Sequence, residues 1–417
     1  MRRVTSPASG PAPPAIRMPT TPELVAMVAA FMALNALGID IMLPALPQIA
    51  HDFSVRDGND RQLVIIVYML SFGVALVFYG PLSDSYGRRP VLLWSMGLYL
   101  LATIGCVVAQ DFNTFLIARG VQGAAAAAAR IIAVAVVRDM MSGREMARVM
   151  SLSMMVFMVI PIIAPAIGQL VLLVGPWRWM FGFLLLGGLI VMAWTWFRLP
   201  ETRPKELRTP LRLASALASY AAIARERQAL GYAIASAFLF GALMAYITTS
   251  QQIFAEHYKM GAMFPIAFAS VALTMSMASF INSRLVMRLG MHRIGHTALI
   301  AFTLMSAMHG AILLLGPTPL WFYLLALALT MLLFGMIGAN FNAIVMEPLG
   351  ARAGAGAAFY GFATTVGSSL VGAGIAAMYD GTPAPFILGS AAVGALALLS
   401  VFVTERGKLF GAKASLS

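Results

Sequence analysis

Cysteine is nearly missing from this chain: Cys106 stands alone among 417 residues, which rules out a disulfide framework and a thiolate metal site. Acids are scarce too, 16 against 28 Lys and Arg, and charged residues of both signs make up only 11% of the sequence. Neither a Walker loop nor zinc-ligand spacing nor a nucleophile elbow occurs, so the sequence supports neither an ATP-driven pump nor an enzyme, and no cofactor or metal is expected. What is present is apolar side chain. Hydrophobic residues account for 60% of the chain and the mean hydropathy is +0.85. A soluble domain of this length has no use for so much apolar surface, so most of it must face lipid.

Apolar stretches of about 20 residues recur along the whole length. Twelve spans are expected, near residues 24–46, 62–82, 90–109, 112–137, 147–174, 177–198, 229–252, 264–288, 293–316, 319–345, 352–378 and 384–403. The fold class is therefore an all-α polytopic membrane protein. A net charge of +12 suggests a nucleic-acid partner at first sight, and the distribution of the charges argues against one. With the N-terminus inside, the outer loops hold only Arg56, Arg61, Arg178 and Lys259, and Arg119 and Arg130 lie within the fourth span; all other Lys and Arg fall on the inner side. That skew is the positive-inside rule, and it puts both termini in the cytoplasm. Residues 1–22 are rich in Pro and Ala without an apolar core, so they read as a disordered tail and not as a signal peptide, and 405–417 reads as a second tail. The longest polar interruption, 199–228, divides the chain into 23–198 and 229–404, six spans each.

One acid lies deep in a span. Asp40 sits within Gly38-Ile39-Asp40-Ile41-Met42-Leu43-Pro44, whereas every other Asp and Glu falls in a loop or near a span end. A charge at the bilayer centre costs at least about 2.5–3.5 kcal/mol, so an intramembrane acid is a functional candidate by default. Burial raises a carboxyl pKa and a nearby cation lowers it, so an acid between the two can load and unload a proton. Arg119, in Arg119-Gly120-Val121-Gln122-Gly123, is the expected partner. At ~1.5 Å per residue Asp40 stands ~24 Å up its helix and Arg119 ~9 Å down an oppositely directed one, which places both at similar depth in a core ~30 Å thick. The simpler alternatives are a packing aspartate near the outer end and an arginine that only hydrogen-bonds carbonyls of the first helix. Arg130 follows eleven residues after Arg119 and returns to the same helix face. It reads either as a cavity residue drawing anionic groups or lipid, or as a side chain snorkelling to the interface. Other mid-span polar residues, Asn35, Tyr68, Gln122, Tyr246, Gln251, Asn340 and Asn342, are candidates to line a substrate cavity; interhelical hydrogen bonding is the competing reading.

Between the second and third spans runs Gly80-Pro81-Leu82-Ser83-Asp84-Ser85-Tyr86-Gly87-Arg88-Arg89-Pro90, read as a tight polar loop at the membrane edge. Its pattern G-x-L-x-D-x-x-G-R-R resembles the loop between helices 2 and 3 of the major facilitator superfamily, twelve-helix secondary transporters built as two pseudo-symmetric six-helix bundles. A fainter copy between the eighth and ninth spans, Asn282 to Arg293, places Gly290 where Gly87 stands and Met287 where Asp84 stands. R-G-x-x-Q-G in the fourth span is similar to the motif of proton-coupled members, whose arginine takes part in proton transfer. The fifth span resembles the antiporter motif G-x-x-x-G-P-x-x-G-G in weakened form: Pro165 and Gly168 match, whereas Ile160, Ala164 and Gln169 replace glycines. Three segments, G-I-D-I-M-L-P-A-L-P, G-P-W-R-W-M-F at Gly175–Phe181 and R-L-P-E-T at Arg198–Thr202, resemble the Bcr/CflA branch of drug:proton antiporters, associated with export of bicyclomycin, chloramphenicol-type drugs and sulfonamides.

That resemblance implies a monomeric multi-pass protein of the bacterial inner membrane that exports drug-like small molecules, powered by the proton gradient. Its partners would be a small-molecule substrate, protons and lipids. The resemblance also implies a conformational latch at Gly80, Asp84, Gly87, Arg88 and Arg89. Proton-coupled transport of one metabolite and a non-transporting receptor of the same fold are the alternatives.

Overall fold

The computed structural model describes residues 19–410; the outer parts of both expected tails, 1–18 and 411–417, lie outside the described residues. The described chain is helical, and twelve of its helical segments are long and apolar enough to cross a membrane. They match the expected spans one for one. The first is broken into α1 (Thr21–Asp40) and α2 (Leu46–Asp52). Then follow α3 (Leu63–Tyr86), α4 (Arg88–Val108), α5 (Phe112–Met140), α6 (Gly143–Val174) and α7 (Arg178–Arg198). After α8 (Leu213–Ala224) come α9 (Arg227–Gln251), α10 (Phe264–Leu289), α11 (Met291–Leu315), α12 (Leu320–Met346), α13 (Ala353–Ala377) and α14 (Ala384–Thr404).

Local chemistry sets the ends. The Thr20 hydroxyl accepts from the Glu23 amide at 3.4 Å and Pro22 occupies the first turn, so α1 starts inside the expected tail. Asp111 caps α5, accepting from the Thr114 amide at 2.9 Å, which satisfies one of the donors a helix start leaves free. Large apolar side chains point outward, among them Trp94 (81% exposed) and Leu315 (90%), where lipid removes the penalty that water would impose.

One correction concerns the segments between helices. The stretch from Gly80 to Pro90 is not a loop. α3 runs through Pro81 to Tyr86, α4 begins at Arg88, and Gly87 alone joins them with φ +101°, a backbone angle open to glycine. Gly290 joins α10 to α11 the same way, with φ +77°. In the long polar interruption, α8 forms a further helix; it packs on α3 and α13, and the Tyr220 hydroxyl donates to the Val77 carbonyl at 3.2 Å.

Each half repeats a packing scheme. In the first, α1 lies on α6, α5 on α3 and α4, and α4 on α7; in the second, α9 lies on α13, α12 on α10 and α11, and α11 on α14. The halves meet through α3 against α13 and α6 against α10. The face carrying the starts of α1 and α9 is tied within each half by Glu23 to Arg198 at 2.6 Å and by Tyr232 to Glu405 at 2.8 Å. On the opposite face the two halves are joined by polar bonds. Arg61 pairs with Glu256 at 2.7 Å, Gln62 with Gln252 at 2.6 Å, and the Asn59 amide donates to the carbonyls of Ala377 and Tyr379 at 3.3 and 2.9 Å.

Candidate functional site

The first span breaks immediately after Asp40. Pro44 and Pro47 lack the amide hydrogens that would continue the ladder, and the chain passes through a turn and a short 3-10 stretch, Leu43–Ala45, before α2 resumes. Sequence reading treated this span as continuous, although both prolines were in view. The break leaves carbonyls at the end of α1 without intrahelical partners, and it packs tightly on α6. Gly168 sits against the Ile41 carbonyl so closely that a Cβ there would collide with it.

Asp40 itself is 4% exposed, and its Oδ1 has no hydrogen-bond partner among the described residues. The Leu43–Ala45 stretch just beyond it packs on α6 of the first half and on α9 of the second, so Asp40 lies where the two halves meet. An acid this poorly satisfied in a protein interior is costly to keep ionised, which is the property a proton carrier needs.

Arg119 is fully buried, and its bonded partners are main-chain carbonyls and Gln122 and not Asp40, which is the simpler of the two arrangements expected for it. The guanidinium donates to the Gly38 carbonyl at 3.0 Å, to the Val64 carbonyl at 3.2 Å and to Gln122 Oε1. It lies over the Tyr68 ring, 4.4 Å from the centroid. The physical reason is the break: a helix C-terminus presents free carbonyls and the negative end of its dipole, an attractive site for a cation. Arg119 thereby clamps the end of α1 to α3 and α5, two residues from Asp40.

The remaining candidates divide. The Tyr68 hydroxyl donates to Asn35 Oδ1 at 2.9 Å, joining α3 to α1. Gln122 donates to Thr103 Oγ1 at 2.7 Å and ties α5 to α4, and Asn340 donates to Asn282 Oδ1 at 2.6 Å and ties α12 to α10; both are interhelical bonds and not free cavity groups. Asn342 is exposed two residues beyond Asn340 and so on another face. Tyr246 stacks on Phe268 at 5.3 Å, and Gln251 is buried with its Oε1 unpaired. Arg130 is exposed, with the Phe72 ring 6.0 Å away.

The expected latch is an ion network. Buried Arg88 reaches Asp84 at 2.7 Å, Asp139 at 3.0 Å and Ser83 at 2.7 Å, while its amide donates to Glu201 at 2.9 Å. Arg203 lies 4.0 Å from Asp84, the Gly80 carbonyl accepts from Ser83, and Arg89 donates to the Trp196 carbonyl at 2.6 Å. Among the described residues, the hydrogen-bonded and ion-paired partners of Asp84 and Arg88 come from the first half or from residues 199–209, not from the second half. In α6, Pro165 lies within an unbroken helix.

Two features escaped the sequence reading. The pairing of Arg61 with Glu256 across the halves joins residues far apart in the chain. The second is a cluster at the start of α11. The Tyr232 hydroxyl lies 2.7 Å from His296 Nε2 and donates to Glu405, and His292 lies 3.5 Å from Glu347. The spacing of His292 and His296, one helical turn apart, was the available signal. A shallow, apolar groove of about 470 Å³ between α3 and α5, lined by Val67, Ile117 and Val121, lies on the outer wall away from the Asp40 carboxylate.

Twelve spans in two similarly packed halves, with Asp40 the one buried acid among the described residues and set beside a broken helix, have the build of a membrane transporter. The chain belongs to the major facilitator superfamily, whose family model matches residues 28–372. It is 30% identical to the bicyclomycin resistance protein homolog of Haemophilus influenzae, over 89% of this chain and 94% of that protein. It is 33% identical to the multidrug resistance protein MdtL of Shigella flexneri over 42% of this chain and 44% of that protein. The fold is similar to that of the xylose transporter XylE from E. coli, with a TM-score of 0.68 at 11% identity over 91% of this chain and 96% of XylE. The protein is a transporter and not an enzyme.

Proposed function

We propose that this protein is a proton-coupled exporter of drug-like small molecules, working by alternating access between 23–198 and 229–404 with its termini in the cytoplasm of a bacterium. The observation that carries the reading is Asp40: nearly sealed, one oxygen unbonded, and placed at the meeting of the halves. The names of the two curated relatives, bicyclomycin resistance and multidrug resistance, favour export of drugs, and the Lys and Arg distribution favours cytoplasmic termini. In the proposed cycle Asp40 takes a proton when the site faces outward, which makes its burial inexpensive. Opening inward returns water to the carboxyl, the proton leaves, and substrate binds. The two facing states differ in affinity for proton and substrate, and that difference drives the cycle. Arg119 acts by positioning, holding the broken end of α1 beside Asp40, and the Asp84–Arg88 network steadies the first half as it moves.

The test is proton release from purified protein in detergent on adding bicyclomycin, chloramphenicol or a sulfonamide, comparing wild type with Asp40→Asn. Release by wild type alone is expected. Equal release from both moves the coupling site away from Asp40, and no release from wild type with any of the three ends the proton-coupled reading for these drugs.

A further inference from the structure

Two arginines of α5 reach toward neighbouring turns of α3, and they stand in opposite conditions. Arg119, over Tyr68, is fully buried and saturated by Gly38, Val64 and Gln122. Arg130, over Phe72, has no hydrogen bond and no ion pair among the described residues. Its side chain is exposed, and it follows Val121 of the outer wall by nine residues, about two and a half helical turns, so it points to the opposite, inner side of α5, where Ala126, Ala127 and Ala133 around it are buried. On α13, which packs against α3, Tyr360 donates its hydroxyl to Ser236 of α9 at 3.2 Å. The acids of α3 and α5, Asp84 and Asp139, are both engaged by Arg88, and α13 carries no acid. A guanidinium set deep in a membrane protein without a counter-ion favours an anion, and its planar fork suits a carboxylate or sulfonate. Phe72, 6.0 Å from the guanidinium, supplies one flat apolar wall, and Tyr360 on the adjoining α13 offers a second ring.

We infer that Arg130, Phe72 and Tyr360 form a binding site for organic anions that carry an aromatic or apolar body, shared between the two halves. The inference rests on reading the chain as an exporter of small molecules, and it names the charge class that exporter takes. Because Phe72 belongs to the first half and Tyr360 to the second, an anion held here touches both, and its affinity changes when they move apart. Snorkelling along the lipid-facing wall does not describe this arrangement, since Arg130 points away from the outer side of α5 that Ile117 and Val121 mark.

The experiment measures binding to the purified full chain in phosphatidylcholine nanodiscs, using naphthalenesulfonate, the neutral naphthalenesulfonamide and naphthylmethylammonium. Wild type should bind the sulfonate about tenfold or more tightly than the other two, a difference of about 1.4 kcal/mol. R130Q should bring the three probes to parity, and R130K should keep part of the preference as a point charge; both variants should melt near wild type. Equal affinities in wild type, no sulfonate binding by wild type, or an undiminished preference in R130Q each overturn the site. A lipid headgroup is the other source of the same chemistry. Loss of sulfonate binding when one third of the lipid is phosphatidylglycerol would assign Arg130 to the headgroup and overturn the soluble anion. Asp40→Asn should keep the anion preference, so a failed proton-release test with the preference intact sinks proton coupling and leaves this site standing.

Discussion

Gly168→Ala perturbs the contact on which the break in the first span depends. A Cβ at this position would overlap the Ile41 carbonyl oxygen and stand 3.0 Å from its carbon and 3.1 Å from Pro44 Cγ. The obstacle is backbone, so no rotamer change relieves it. Clearing it moves α6 away from α1 by on the order of 1 Å, in a packed interior that transmits such strain. Overpacking of this kind costs about 1–3 kcal/mol, against a gain of about 0.8–1.0 kcal/mol for alanine over glycine in a helix. The balance is a loss of about 1 kcal/mol when the clash falls in the middle of its range and about 2 kcal/mol at the top of it. Gly374→Ala on α13 is the control, because a Cβ there meets nothing within 4 Å, and only the helix gain remains. The assay is apparent melting in detergent together with drug efflux from cells. The expected order is Gly374→Ala at or above wild type, then wild type, then Gly168→Ala, with efflux falling in the last alone. Gly168→Ala melting at or above wild type with full efflux would refute the claim that the α1–α6 approach supports the site.

Arg88→Gln takes the guanidinium from between Asp84 and Asp139, and removing one partner of a buried network costs about 3–5 kcal/mol. It should deplete folded protein in the membrane, as read by size-exclusion profile, whereas Asp84→Asn should leave folded protein that turns over more slowly. Weakening the joined face with Arg61→Gln, where Glu256 is 44% exposed at its side chain, should shift the halves apart by about 1 kcal/mol at most; spin-label distances across that face read the shift, and the swapped pair Arg61→Glu with Glu256→Arg should restore it. Asp111 has its carboxyl held below the ordinary 3.8 by the Thr114 hydroxyl and amide hydrogen bonds. Its cap on α5 is therefore fully present above that ordinary value and is lost as pH falls through the lower folded one. Amide exchange at the start of α5 should accelerate over that acid window in wild type and show no such step in Asp111→Asn.

The spans were legible because an apolar stretch long enough to cross a bilayer has few other uses, and the depth estimate put Asp40 and Arg119 near one another from helical rise alone. What the side chains bond to was less legible. Depth and charge allow both an Asp40–Arg119 pair and bonds from Arg119 to carbonyls of the first helix, and since every residue carries a carbonyl, nothing in the order of the chain chooses between them. Gln122 and Asn340 show the same limit, since a mid-span amide reads alike whether it faces a cavity or a neighbouring helix. Composition makes a loop of the polar stretch before Pro90, and packing of α3 overrides that with Pro81 inside the helix. Residues 405–410 were assigned to a free tail, yet the Phe410 amide donates to His296 Nδ1 at 3.1 Å. Nothing in the order of the chain relates Phe410 to His296, or Arg61 to Glu256; such pairings exist only once the chain has folded.

The clamp on α1 has a consequence for durability under changing charge. Main-chain carbonyls do not titrate in any accessible pH range, so the bonds from Arg119 to Gly38 and Val64 persist whether the nearby carboxyl is neutral or ionised. Had the arginine been fastened to Asp40, each protonation would have unfastened a helix end and each deprotonation would have locked it. Here the framework and the variable charge are separate parts. The acid can change state on its own, and the helices around it register that change as a field, without a joint coming undone.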